Sequence, residues 1–303
     1  MSYEKGVPIT LFRGGGRYCS HEGGEGIWRS LCNRAGTGYG MSTENIIEIR
    51  GLNSSYNSRQ VLFDITFPIP VSRVTVIMGV SGCGKTTLFR HLTGLKRTQQ
   101  GQISVDGKDL GSFSEAMLME YRRRIGVLFQ SGALFNSLSL ADNIAMPLRV
   151  HTGLAQETIR IMTLMKLNMV GLAEFGDYMP SQLSGGMRKR AGLARALIMD
   201  PEMLFVDEPS SGLDPITAAG LDRLILSLRE TRGMTIVVVT HELESAFKIA
   251  DRIVVMDGGR VMASGDPEEI RNSADPRVQQ FLNRQADPYK MHMEAYYERL
   301  LGN

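Results

Sequence analysis

No apolar run in the chain approaches the roughly 18 residues of a membrane-crossing helix. The longest near-continuous stretch, Val74 to Val80, has the length of a strand. Any membrane role is therefore expected to be borrowed from another chain. Cysteine is scarce: Cys19, Cys32 and Cys83 are odd in number and lack metal-ligand spacing, which argues against a disulfide scaffold and a zinc site. The N-terminus has no basic patch leading into an apolar core of about 7–15 residues. The expected setting is cytosolic and reducing. Charge bias is also missing, since 34 Lys and Arg against 32 Asp and Glu leave +2. That balance names neither nucleic acid nor an anionic membrane surface as a partner. With 43% hydrophobic and 22% charged residues among 303, the chain can bury a sizeable core and is neither disordered nor fibrous.

Residues 1–40 hold ten of the 33 glycines and the only Trp, with neither a helical nor a strand period. They read as a disordered or mis-assigned extension, and translation is expected to start at Met41. From Ile46 onward, strand-length apolar runs (46–49, 61–67, 74–78, 125–129, 203–206, 235–239, 252–256) alternate with helix-length segments. This is the pattern of an α/β fold whose sheet is largely parallel in its centre. Between about 134 and 200 helical periodicity dominates, for example at Met187, Ala191, Ala194 and Ile198, so a helical subdomain is expected to interrupt the sheet. Asp106-Gly107 and Asp257-Gly258-Gly259 are hairpin cues that point to antiparallel additions at the edges.

Val74–Met78 runs into Gly79-Val-Ser-Gly-Cys-Gly-Lys-Thr-Thr87, a match to GxxxxGK[ST] between a strand and a helix. Glycines 79, 82 and 84 let the backbone curl so that the N–H groups of a loop containing Ser81, Cys83 and Thr87 face a polyphosphate, and the helix start adds its positive end. Lys85 would reach the outer phosphates and the Thr86 hydroxyl would bind Mg²⁺. Cys83 is expected to fill space rather than do redox work.

A second strand, Met203–Val206, delivers Asp207 and Glu208 to the sheet edge. Asp207 suits Mg²⁺, and Glu208 suits the polarisation of an attacking water. Taken alone, such a pair is as often a solvated helix cap. Gln130, which could ligate Mg²⁺ or position water, and His241, 33 residues beyond Glu208, also follow strands; in isolation each has an ordinary loop or cap reading. Leu183-Ser184-Gly185-Gly186-Met187 precedes a basic helix, which makes it either a second anion site or a plain Ser-capped helix.

Taken together, residues 44–275 resemble the nucleotide-binding subunit of ATP-binding cassette (ABC) transporters. In that resemblance Gly79–Thr87 is Walker A, Gln130 the Q-loop and Leu183–Met187 the signature. Asp207 and Glu208 close Walker B, Ser211–Asp214 form the D-loop and His241 is the switch histidine. Tyr56 is similar to the aromatic that stacks on adenine. The sequence departs at Met187, where the family commonly has Gln. The resemblance implies a P-loop NTPase fold, with the cassette over 41–275 and a helical tail over 276–303. It implies ATP and Mg²⁺ as cofactors and ATP sandwiched head to tail between two copies, Ser184, Gly185 and Gly186 of each facing the other's nucleotide. Phe129–Phe135, Ala141–Leu148 and Gly212–Thr217 look more closely like the ATPases of Mla/Mce-type phospholipid transporters. That likeness implies a peripheral place at the cytoplasmic face of the inner membrane through a separate permease, with room for a small cytosolic regulatory subunit and a lipid-binding substrate protein.

Other cargoes (amino acids, metal ions, lipoproteins) remain alternatives, as does a non-transport ABC protein. Against the last, only 54 residues separate Gln130 from Ser184, too few for the coiled coil of DNA-repair members, and the chain holds a single cassette. In the tail, Tyr289, Met293, Tyr296 or Tyr297, and Leu300 share a helical stripe that could pack on the domain itself or dock on a second copy.

Overall fold

The structure, a computed structural model, describes residues 45–56, 59–99 and 102–285. Residues 1–44 lie outside it, and with them the expected start at Met41; so does the tail stripe from Tyr289 to Leu300. Strands β1 (Asn45–Tyr56), β2 (Arg59–Pro70), β4 (Ile103–Val105) and β5 (Lys108–Asp109) form an antiparallel sheet in the order β2-β1-β4-β5. A six-stranded sheet contains β3 (Val74–Gly79), β6 (Ile125–Leu128), β7 (Met203–Asp207), β8 (Thr235–Thr240), β9 (Arg252–Asp257) and β10 (Arg260–Gly265), in the order β10-β9-β3-β8-β7-β6. Only β10 is antiparallel there.

The two hairpin cues therefore end in different places. Asp257–Gly259 adds β10 to the edge of the parallel sheet, whereas Asp106-Gly107 turns within the separate sheet because β4 pairs with β1. The reason lies in the pattern of β1 and β2, whose buried and exposed residues alternate, so that each offers one apolar face only. By contrast β3 and β8 are buried at every position, as strands covered on both faces must be.

Alternate residues of the parallel strands enter opposite cores. Ile77, Phe205, Val237, Val239 and Met256 pack with Leu88 and Phe89 of helix α1 (Lys85–Leu92) and with Leu62 and Ile65 of the antiparallel sheet. Val76, Met78, Val206, Val238 and Val255 pack with Leu221, Ile225 and Leu228, which lie on the helix over Pro215–Arg232. Phe205 is fully buried, 6.1 Å from Phe89 in an edge-to-face pair. Phe205→Ala is expected to cost about 3–5 kcal/mol of stability, read as a lowered midpoint in urea unfolding.

Helix α2 (Glu115–Arg123) precedes β6. Between β6 and β7 the described elements are helical: α3 (Leu140–His151), α4 (Gln156–Met169) and α5 (Gly185–Ala196), with short 3₁₀ turns. They close their own core around Leu140, Ile144, Ile159, Leu167, Ala191 and Ala194. After β7 come α6 (Pro215–Arg232), α7 (Leu243–Ile249), α8 (Pro267–Arg271) and α9 (Pro276–Leu282). All five parallel strands end at one edge. The ladder sets Gly79 opposite Met256, Met78 opposite Thr240, Val239 opposite Asp207 and Val206 opposite Leu128. The loops that follow β3, β7 and β8 build the site.

Candidate active site

The phosphate loop leaves β3 at Gly79, where an added Cβ would stand 2.1 Å from the carbonyl oxygen of Met256 on β9. Only glycine permits that approach. Gly84 caps α1 with a left-handed backbone, φ 101°, and no side chain closes the helix start; the first turn also carries no acid. Its unpaired N–H groups are thus left for an anion. Lys85 is buried, and its Nζ donates to the carbonyl oxygens of Gly79 at 2.8 Å and Val80 at 3.0 Å, which fixes the ammonium against the first turn of the loop. Ser81, Gly82 and Thr86 are exposed, while Cys83 and Thr87 are buried. Burial pushes the Cys83 thiol up, and the side chain joins the core.

Across the sheet edge, Asp207 ends β7 and Glu208 follows in a left-handed conformation, φ 49°, fixed by its N–H donating to the Val239 carbonyl of β8 at 2.8 Å. A non-glycine residue held there stores strain of about 1–3 kcal/mol, the kind of feature found at functional sites. The Glu208 side chain is only 12% exposed, and its Oε2 lies 2.8 Å from His241 Nδ1 and accepts from Thr240 Oγ1 at 3.3 Å. His241 itself is half exposed. A carboxylate thus shielded and aligned can take a proton from water. Burial first, and then the neighbouring Glu208 charge, push the Asp207 carboxyl up. A cation beside Asp207 would offset both. Asp207, the Thr86 hydroxyl and the Gln130 amide are all oxygen donors, and among the described residues no group of three or more His, Cys, Asp or Glu is arranged to hold a metal. One carboxylate plus neutral oxygens is a donor set that fits Mg²⁺ shared with phosphate.

A cleft of about 640 Å³ brings together Gly79, Ser81, Lys85, Glu208 and His241. Helix α9 and the turn after it add Phe281 and Arg284 to its wall, an approach from far along the chain that the sequence pattern does not disclose. Gly82, Cys83, Gly84, Thr86, Thr87, Asp207, Gln130, Tyr56, Asp214, Ser184, Gly185 and Gly186 do not line this cleft. Strand β6 ends at Leu128, one residue earlier than the apolar run, and Gln130 sits exposed in a turn closed by the Gly132 N–H on the Phe129 carbonyl at 2.8 Å. Arg195 of α5 donates to the carbonyls of Ala133 and Gly132, at 2.8 and 3.1 Å, so this turn is tied to α5. Tyr56 is 41% exposed; Arg90 of α1 donates to its hydroxyl at 3.3 Å and Lys96 Nζ lies 3.7 Å over one ring face. The hydrogen bond from Arg90 foremost draws the phenol below its usual range.

Ser184 caps α5 by accepting the Met187 N–H at 3.2 Å, and no acid occupies the first turn. Gly186 packs so closely on α6 that a Cβ would stand 2.5 Å from Thr217 Cγ2. Asp214 caps α6, accepting from the Ile216 and Thr217 N–H groups at 3.1 and 3.0 Å; the Thr217 side-chain hydroxyl foremost, and then these bonds, hold its carboxyl below the usual range. Sequence reasoning passed over Lys189, one turn into α5. It is buried, and its Nζ donates to the carbonyls of Glu208, Pro209 and Ser211 at 2.9, 2.8 and 2.6 Å. A signal was present: Lys189 shares one face of the helix with Gly186 and Leu193, both buried, so a charged residue stands on a buried face.

Residues 62–211 match the family described as ABC transporter. Over 244 residues the chain is 42% identical to the intermembrane phospholipid transport system ATP-binding protein MlaF of Haemophilus influenzae, covering 80% of this chain and 92% of that one. The chain belongs to the ABC transporter family. It is 40% identical over 279 residues to the "Probable ribonucleotide transport ATP-binding protein mkl" of Mycobacterium tuberculosis, covering 92% of this chain and 77% of mkl. Among solved structures, the dimeric post-hydrolysis state of the ATP-binding cassette MJ0796 bound to ADP and Pi superposes with a TM-score of 0.68 at 28% identity, covering 73% of this chain and 98% of that one. The P-loop α/β fold is that of these cassettes, and the chain is an ATPase that binds ATP.

Proposed function

We propose that this ABC ATPase works as a head-to-tail pair and powers phospholipid movement between the inner and outer membranes through a separate permease. The observation that carries the pairing is the separation of its two anion sites. The phosphate loop, Glu208 and His241 line one cleft, and the chain's own Ser184, Gly185 and Gly186 do not reach it. A capped helix start free of acid suits a phosphate, and a second copy turned about a twofold axis supplies one. In that pair Lys85 neutralises the outer phosphates, Glu208 takes the proton of the attacking water, and His241 with Ser184 of the second copy steadies the γ-phosphate. Tyr56, 41% exposed, offers its ring to adenine. Asp214 joins the residues that bind the nucleotide. Thr86, Asp207 and Gln130 would hold Mg²⁺, which when bound neutralises charge on the phosphates.

No helix among the described residues is long and apolar enough to cross a membrane, and the reading gives that task to the permease, gripped by the helices over 140–196 at the cytoplasmic face. A small regulatory subunit and a lipid-binding substrate protein complete the assembly. The cargo reading draws its support from the MlaF relatives. Purification of the chain with its permease from detergent, followed by mass spectrometry, is expected to recover bound phospholipid. Recovery of a ribonucleotide in its place, the cargo in the name of mkl, would refute the lipid reading.

A further inference from the structure

We propose that Lys189 is a positioning residue that couples the two nucleotide sites of the pair, because one helix start serves the partner's nucleotide while the same helix holds the main chain of this subunit's own Glu208. The inference rests on the head-to-tail reading. Lys189 lies four residues after Gly185, about 6 Å down the axis at 1.5 Å per residue. Its ammonium donates to three carbonyl oxygens of the single turn 208–211 and also feels the Glu208 charge. Those bonds are charge-assisted and made by a buried side chain, the setting in which such contacts are strongest.

What the turn carries gives this clamp its consequence. Glu208 has a left-handed backbone, and the segment after it packs on the signature, with Gly185 and Gly186 facing Leu213 and Thr217. A helix whose start is drawn toward a phosphate moves as a rigid body. Lys189 then moves with it, and the carbonyls of Glu208, Pro209 and Ser211 follow. Occupancy of one nucleotide site in this way sets the alignment of the base in the other.

The test uses the full-length chain with Lys189→Met, which keeps length and apolar packing but loses the donors, and Lys189→Arg, which keeps the cation. Relative to wild type, Lys189→Met is expected to bind a fluorescent ATP analogue within about twofold. Its kcat should fall about 10- to 100-fold, the range a misplaced catalytic group produces. Its Hill coefficient for ATP should drop from above unity toward unity, and Lys189→Arg should restore both quantities. A fall in kcat with the Hill coefficient unmoved would show a role inside one site only and overturn the proposal, as would a non-cooperative wild type. If Lys189→Met fails to melt cooperatively, Lys189→Arg and Lys189→Gln carry the same readout, and wild-type kcat and cooperativity in Lys189→Gln overturns it. ATP-dependent dimerisation in gel filtration, measured on a Glu208→Gln background, separates the two layers. No dimer sinks the head-to-tail reading and the coupling with it, whereas a dimer with unmoved cooperativity sinks the coupling alone.

Discussion

Glu208→Gln is expected to reduce ATP turnover by about 10²- to 10⁴-fold while ATP binding is retained, since general-base catalysis contributes a factor of that size. The substitution keeps the volume of the side chain and leaves untouched the main-chain bond from Glu208 N–H to the Val239 carbonyl that holds the left-handed backbone. What it removes is a carboxylate that is 12% exposed and lies 2.8 Å from His241 Nδ1. The amide can hold a water in place but cannot accept its proton. Binding should survive because Lys85, the loop amides and the α1 start all lie on a different strand–loop unit. With hydrolysis blocked, the ATP-bound pair should accumulate as a dimer in gel filtration. Turnover at the wild-type rate would exclude Glu208 as the base.

Lys85→Ala is expected to fail at the earlier step, lowering ATP affinity by about 10²-fold or more. Hydrogen bonds to charged groups contribute about 1.5–3 kcal/mol each, and an ammonium between two phosphates makes at least two of them. The buried Nζ also ties the Gly79 and Val80 carbonyls together at 2.8 and 3.0 Å, so its loss loosens the loop as well as discharging it. Titration with a fluorescent ATP analogue checks this, and unchanged affinity would remove Lys85 from the phosphate contact. The two variants divide the site into its two tasks: one binds without turning over, and the other scarcely binds.

Much of this site is legible along the chain because it is local. Gly79–Thr87 follows its strand directly and opens its helix directly, so glycines, lysine and hydroxyls act within a few residues of one another. Asp207 and Glu208 are equally plain, since β7 is buried on both faces and reads as an unbroken apolar run that stops at the acids. The antiparallel strands are less legible. β1 extends over Asn45–Tyr56 and β2 over Arg59–Pro70, far beyond their apolar stretches, because bulged pairing at Leu52, Ser54 and Ser55 tolerates polar residues that a buried strand would reject.

By itself the sequence determined which chemical groups exist and which local frames present them: a glycine cradle after β3, an acid pair after β7, a histidine after β8 and a serine-capped start to α5. Tertiary structure alone decided who meets whom. The order β9-β3-β8-β7 sets the histidine strand between the cradle and the acids, which is why His241 reaches Glu208. Folding also brought Phe281 and Arg284 to the cleft wall and Lys189 beneath the Glu208 turn. The physical reason is that Lys189 binds main-chain carbonyls, which every residue carries and no sequence pattern marks, and that strand order follows from burying both faces of one sheet at once.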